Sequence, residues 1–139
     1  RFPESLVVSK DIVDRGYINF NGGVEDFLKS SDEEKYDLIM TNPPFNKAKE
    51  FVEKGVRKLN VGGSLILFLK IQFLESEKRK SLFEKYPPKY VYVHSKRVSP
   101  YRNGQSINPE TGKRWASTMV FAWFVWEEGF TGEPIIRWL

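Results

Sequence analysis

Residues 36–45 read YDLIMTNPPF: an apolar run from Tyr36 to Thr41 that stops on an asparagine, two consecutive prolines and a phenylalanine. Pro43 fixes its own φ, offers no N–H, and drives Asn42 out of the helical region; Pro44 does the same to Pro43. The backbone must therefore stay extended and stiff where the run ends. The run, bounded by turn chemistry, is predicted to be a strand covered on both faces. Its exit leaves carbonyls outside any helix ladder, beside an amide that both donates and accepts and an aromatic ring with a flat face. An amino group needs two acceptors and a planar base needs a stacking surface. A strand-to-helix turn with an early proline is common, but it accounts poorly for two prolines behind an asparagine.

The rest of the chain alternates strand and helix signals. Leu6 to Ile12 is a short strand candidate, and Val24 to Leu28 is a second, weaker one or the start of a helix. After the prolines, Ala48, Phe51, Val52, Val56 and Leu59 recur at helical spacing, with Asn46 as N-cap and Asn60 with Gly62-Gly63 as the stop. Ser64 to Lys70 reads as a buried strand. Ser76 to Lys85 reads as a helix that starts on a capping serine and ends before Pro87-Pro88. Tyr90 to His94 and Met119 to Trp126 are two further strands. This alternation is the pattern of an open α/β sheet with helices on both faces, here one domain over residues 1–139. In such sheets ligands bind beyond the carboxyl ends of the strands, which is where Asn42 to Phe45 fall.

Composition narrows the function classes. With 40% apolar and 15% aromatic residues in 139, the chain can bury the core of one domain. It has no cysteine and a single histidine, His94, which removes disulfides and thiolate chemistry, argues against a metal site and suits a reducing compartment. The longest apolar run, Met119 to Trp126, is too short to span a bilayer, and no signal segment opens the chain, so a cytoplasmic protein is expected. A formal charge of +4 permits a polyanionic partner. That excess sits in the loop from Ser95 to Thr118, where Lys96, Arg97, Arg102, Lys113 and Arg114 face the single acid Glu110. Tyr101, Trp115, Asn103, Gln105 and Asn108 are interleaved with them. Basic residues suit phosphates, amides read base edges and aromatics stack; the plainer alternative is a solvated charged loop. The aromatic strand Phe121, Trp123, Phe124 and Trp126 reads as core. His94 has no acid or thiol partner visible in the sequence and takes no catalytic role.

Asn42-Pro43-Pro44-Phe45 after an apolar strand resembles the (Asn/Asp/Ser)-Pro-Pro-(Tyr/Phe/Trp) motif of S-adenosylmethionine-dependent amino methyltransferases, in the Asn-Pro-Pro-Phe form of the DNA adenine-N6 enzymes. SKDIVDRGY, FLKIQFLES, KRKSLFEKYPPKYVYVHSKR and VFAWFVWEEGFTGEP are similar, in order, to phage- and prophage-type members, so the resemblance covers nearly the whole chain. It implies a Rossmann-like class I methyltransferase sheet, S-adenosyl-L-methionine as cofactor and adenine-containing DNA as partner. By position, Asn42 and the Pro43 carbonyl would hold the exocyclic amino group, with Pro44 stiffening the peptide and Phe45 stacking on the ring. The amine lone pair is delocalised into the base; accepting hydrogen bonds from both N–H groups would favour its attack on the sulfonium methyl. A duplex base would have to be flipped out first. Asp11 is similar to the acid that binds the cofactor ribose, with Asp14 competing for that role. Asp26 sits where the family has an acid near the cofactor's adenine, with Phe27 beside it; the alternative for Asp26 is an ordinary N-cap. The basic loop would serve target recognition or backbone contact.

The front of the chain departs from this family. Its members open with a strand, a glycine-rich turn and a helix, and no G-x-G pattern is present here. In the family's strand order, 3-2-1-4-5-7-6, the absent strand is central, between the strand ending at Asp11 and the one ending at Thr41. Both would then show an unpaired edge. The expectation is an N-terminally truncated fragment or a degenerate copy. A non-catalytic remnant that binds nucleic acid, or an amino methyltransferase acting on RNA or on a protein glutamine, are the alternatives.

Overall fold

The computed structural model describes residues 7–14, 22–98, 107–113 and 119–139. Two compact units divide at Glu34 and Lys35.

In the first unit two short strands, β1 (Lys10–Asp11) and β2 (Gly23–Val24), pair in parallel, with Lys10 opposite Gly23 and Asp11 opposite Val24. The Glu25 N–H donates to the Asp11 carbonyl at 2.9 Å and prolongs the pairing. Gly22 is needed here, because any side chain on it would overlap the Ser9 carbonyl. The strand expected over Leu6 to Ile12 is thus cut to two residues among those described. Val24 to Leu28 holds both expected elements, the end of β2 and then a 3-10 turn (Phe27–Lys29). Lys10 ties the unit together through Glu25 at 2.7 Å and Glu34 at 3.2 Å.

The second unit is built on a five-stranded sheet in the order β3-β4-β6-β5-β7. Its strands are β3 (Tyr36–Thr41), β4 (Leu59–Lys70), β5 (Tyr90–Val93), β6 (Phe121–Glu127) and β7 (Ile135–Trp138). β3 and β4 are parallel, β6 runs antiparallel between β4 and β5, and β7 is parallel to β5. Helix α1 (Ala48–Arg57) joins β3 to β4, and α2 (Lys80–Lys85) lies between β4 and β5.

The period of two in β4 builds the core. Leu65, Leu67 and Leu69 lie opposite Trp126, Phe124 and Ala122 of β6, and Val91 of β5 lies opposite Phe124. All of these are buried, together with Ala48 and Val52 of α1, Leu82 of α2 and Phe73. The Trp126 indole N–H donates to the Tyr86 carbonyl at 2.9 Å, so the largest core side chain leaves no donor unpaired. The alternate residues of the same strands put Phe68, Trp123 and Phe121 on the other face.

Five local expectations give way to packing. Leu59 begins β4 instead of ending α1, and Asn60 to Gly63 form a bulge instead of a helix stop: Tyr36 lies opposite Leu59, while Leu38 already lies opposite Ser64. Glycines are required there because Gly62 has φ +74° and a Cβ on Gly63 would come within 2.9–3.2 Å of the Asn60, Tyr36 and Asp37 carbonyl oxygens. Asn46 lies inside a 3-10 turn (Phe45–Lys47), and Lys47 occupies the N-cap of α1 without a side-chain bond. Ser76 makes no capping bond either; a 3-10 turn (Glu77–Arg79) precedes α2. β3, expected to be covered on both faces, is an edge strand with Leu38 43% and Met40 58% exposed. Among the described residues no helix is long and apolar enough to cross a membrane.

Candidate functional site

β3 delivers Asn42 to the carboxyl edge of the sheet. Pro43 is buried and anchors the peptide, while Asn42 and Pro44 on either side are exposed. Pro44 is extended, with φ −55° and ψ 126°. The chain turns only at Phe45, where the Lys47 N–H donates to the Pro44 carbonyl at 2.9 Å. One of the two carbonyls expected to be open is thus used by the turn. The Pro43 carbonyl and the Asn42 side-chain amide take part in no hydrogen bond among the described residues.

Phe45 is 41% exposed. Its ring lies 5.8 Å from Phe121 at an interplanar angle of 40°, and the Lys70 ammonium sits 4.8 Å from its centroid. Phe121 stacks on Phe68 at 5.2 Å, and Phe68 meets Trp123 at 4.8 Å and the edge of His94 at 6.0 Å. Phe45 is therefore the half-exposed end of a row of rings. Beside it a cavity of about 140 Å³ is lined by Phe45, Lys70, Gln72 and Arg79, among others.

Sequence reading missed Lys70 and Arg79. Lys70 had a usable signal, since it closes the apolar run SLILFLK and so falls at the carboxyl end of a strand. Arg79 had none. Its guanidinium donates to the carbonyls of Phe73 at 2.8 Å, Gln72 at 3.0 Å and Glu75 at 2.7 Å, and covers the Phe73 ring at 4.9 Å. It thereby fixes the segment that leaves β4 beside Phe45.

Of the expected basic contacts, Lys96 and Arg97 follow β5, are exposed, and line a second cavity of about 340 Å³ together with His94 and Phe121. Lys113 is exposed at the end of a turn in which its carbonyl accepts from the Asn108 N–H at 2.8 Å. Arg102 and Arg114 lie outside the described residues, as do Tyr101 and Trp115.

In the first unit the parallel pairing brings Asp11 and Asp26 to the carboxyl ends of β1 and β2. Asp11 is exposed, and its Oδ1 accepts from the Val13 N–H at 3.1 Å in an Asx turn. Asp26 is the N-cap of the following turn: its Oδ1 accepts from the Leu28 N–H at 3.0 Å and its Oδ2 lies 3.7 Å from Lys29 Nζ. The N-cap alternative is therefore realised. A carboxylate has about four lone-pair sites, so capping leaves Asp26 able to accept from an amino group as well. Phe27 is half-buried within the turn, and Asp14 is exposed. Among the described residues no cluster of three or more His, Asp or Glu is placed to hold a metal ion.

A family model, the methyltransferase small domain, matches residues 4–88. Among curated proteins no relative matches the chain. Three solved structures are similar to it. One, from Listeria monocytogenes, is described as a class I S-adenosylmethionine-dependent methyltransferase; it is 14% identical with a TM-score of 0.56 over 85% of this chain and 41% of its own. One, from Agrobacterium tumefaciens, is described as a predicted O-methyltransferase; it is 13% identical with a TM-score of 0.50 over 76% of this chain and 42% of its own. The third belongs to a type I restriction-modification system and is 17% identical with a TM-score of 0.52 over 84% of this chain and 26% of its own. The chain thus spans less than half the length of each, and what it shares with them is the fold.

Proposed function

Because the chain belongs to the methyltransferase small domain family and has the class I methyltransferase fold, we propose that it serves the transfer of a methyl group from S-adenosyl-L-methionine to the N6 amino group of adenine in DNA. The observation that carries this reading is the pair of unengaged groups on a stiff peptide, the Asn42 amide and the Pro43 carbonyl, beside the half-exposed Phe45 ring. Asn42 Oδ1 and the Pro43 carbonyl accept from the two amine N–H groups. This frees the nitrogen lone pair from the ring and aims it, which stabilises the transition state more than the ground state. Phe45 holds the base by stacking. When bound, the cofactor would supply an electrophilic sulfonium methyl to the aimed amine, which would take the methyl as the sulfonium gives it up and would lose its own proton to solvent. Asp11 would accept from the ribose hydroxyls of the cofactor and Asp26 from its adenine amino group, with Phe27 packed beside it. Lys96, Arg97 and Lys113 contact phosphates, and Arg102 and Arg114 extend that surface in sequence.

Likeness to a chain of a type I restriction-modification system supports DNA as the substrate, and the basic lining after β5 favours a nucleic acid over a protein glutamine. The test is methyl transfer from labelled S-adenosylmethionine to adenine-containing DNA, with RNA and a glutamine peptide as parallel substrates. N6-methyladenine is expected in DNA, and Asn42→Ala should lower the rate at least a hundredfold. Methyl transfer to the peptide alone would refute the substrate. Absence of both transfer and calorimetric cofactor binding would refute the enzyme.

A further inference from the structure

His94, which the proposed chemistry does not use, is placed like a ligand-binding group. It follows β5, and its Nε2 is buried with no hydrogen-bond partner among the described residues. Buried polar atoms are nearly always paired, and leaving one unpaired is costly. The ring is instead held by packing, edge-on to Phe68 at 6.0 Å and 74°, while Phe68 is itself packed against Phe121 and Trp123.

The lining of the cavity says what the missing partner is. His94, Lys96, Arg97 and Phe121 border a space of about 340 Å³, roughly ten times a water molecule's share of the liquid. Among the described residues no acid lines it, and neither Lys96 nor Arg97 has an ion-pair partner. Ser95, also in the lining, donates its hydroxyl to the Leu139 carbonyl and so is no donor to the cavity. A water molecule would satisfy the imidazole alone, leaving the two exposed cations hydrated but without a counter-ion. An anion with several acceptor oxygens satisfies all three.

We propose that this cavity is a phosphate subsite that takes a backbone phosphodiester of the nucleic-acid substrate, with the His94 Nε2–H as its inner donor and Lys96 and Arg97 as its charged rim. The assignment of the phosphate to a nucleic acid rests on the reading above. Phe121 joins the two sites, since it borders the cavity and lies 5.8 Å from Phe45. A strand whose base rests on Phe45 therefore has its backbone within reach of His94.

The chain has one histidine, so its imidazole proton NMR signals report His94 alone. They are followed while a short single-stranded adenine-containing oligonucleotide, and separately inorganic phosphate, is added; binding of the labelled oligonucleotide is measured in parallel by fluorescence anisotropy. The oligonucleotide should move the His94 signals saturably, with the Kd found by anisotropy. His94→Leu, which keeps the bulk and removes the donor, should weaken binding about five- to tenfold. His94→Gln, which restores an N–H near the Nε2 position, should recover most of it, and this rescue distinguishes a lost donor from a damaged fold. Lys96→Ala combined with Arg97→Ala should lower the slope of log K against log salt by about 0.7, the value for one phosphate contact on a single strand. If the oligonucleotide binds and His94 does not respond, the subsite is refuted and the methyltransferase reading stands. If only inorganic phosphate moves the His94 signals, the anion site stands and the nucleic-acid reading falls. If neither probe moves them, the cavity is not an anion site.

Discussion

Replacing Phe45 by leucine separates packing from stacking at the centre of the proposed site. The ring is 41% exposed and makes two described ring contacts, with Phe121 at 5.8 Å and with the Lys70 ammonium at 4.8 Å. The first contributes about 0.5–1.5 kcal/mol beyond buried area and the second about 0.5–1. Leucine keeps most of the covered apolar surface, so F45L should cost about 1–2.5 kcal/mol in a urea titration. F45A also loses that surface and should cost about 2–4 kcal/mol. Binding should behave differently. Stacking on an aromatic ring is worth about 1–3 kcal/mol per base, so F45L and F45A should both bind an adenine-containing oligonucleotide about five- to 150-fold more weakly at fixed salt, and F45W should bind like the wild type. Stability thus separates F45L from F45A, whereas affinity does not. If F45L loses stability as expected but binds unchanged, Phe45 is a packing residue and its role as a stacking platform is wrong.

Arg79→Met keeps the apolar stem but removes three hydrogen bonds to the carbonyls of Gln72, Phe73 and Glu75; two of those residues are exposed and their carbonyls regain water, so a loss of about 2–3 kcal/mol is expected by chemical denaturation. Gly55→Ala sets two effects against each other: alanine gains up to about 1 kcal/mol of helix propensity, but its Cβ would lie 2.7 Å from both Leu65 methyl carbons, and Leu65 is fully buried. Overpacking costs about 1–3 kcal/mol, so the variant should be less stable, and a gain would show that Leu65 has room to move. The hydrogen bond from Lys89 to Glu127, 2.6 Å long, raises the Lys89 ammonium above its ordinary value of 10.5. A raised folded-state value means the contribution is fully present below 10.5 and is lost as pH rises through the folded-state value. The difference in melting temperature between wild type and E127Q should therefore be constant from about pH 8 to 10 and close at higher pH.

What was legible in the sequence follows from how local each cause is. The prolines at 43 and 44 restrict φ and ψ without any partner, so the end of β3 and the stiff peptide after it could be read directly. The core strands could be read for a similar reason, because Leu65, Leu67 and Leu69 repeat with the period of the pleat. β7 could not: Ile135–Trp138 is exposed along its whole length and is held by pairing to β5, through bonds such as Leu139 N–H to the Val93 carbonyl at 3.0 Å. Gly62 and Gly63 carried a true signal of unusual backbone, but a bulge and a helix stop ask for the same residue. Neither the role of Arg79 nor the unpaired nitrogen of His94 exists until distant segments meet.

The second proline has a separate consequence for chemistry. A turn that began one residue earlier would place the Asn46 N–H on the Pro43 carbonyl and remove the acceptor that the proposed reaction needs. That turn needs residue 44 in the helical region, whereas Pro44 is extended with φ −55° and ψ 126°, so the turn starts at Phe45 and engages the Pro44 carbonyl instead. Pro44→Ala tests this directly. The fold should survive, with a change of about 1 kcal/mol or less, because alanine accepts the φ of −55° found there. With alanine free to enter the helical region at residue 44, the turn can slide back and engage the Pro43 carbonyl. Loss of one acceptor for the amine is worth about 0.5–1.5 kcal/mol, so binding of an adenine-containing oligonucleotide should weaken about two- to tenfold while that of an otherwise identical strand lacking the amino group is unchanged. Equal weakening of both strands would mean that Pro44 acts only through general rigidity, and that the unengaged Pro43 carbonyl has no part in recognising the amine.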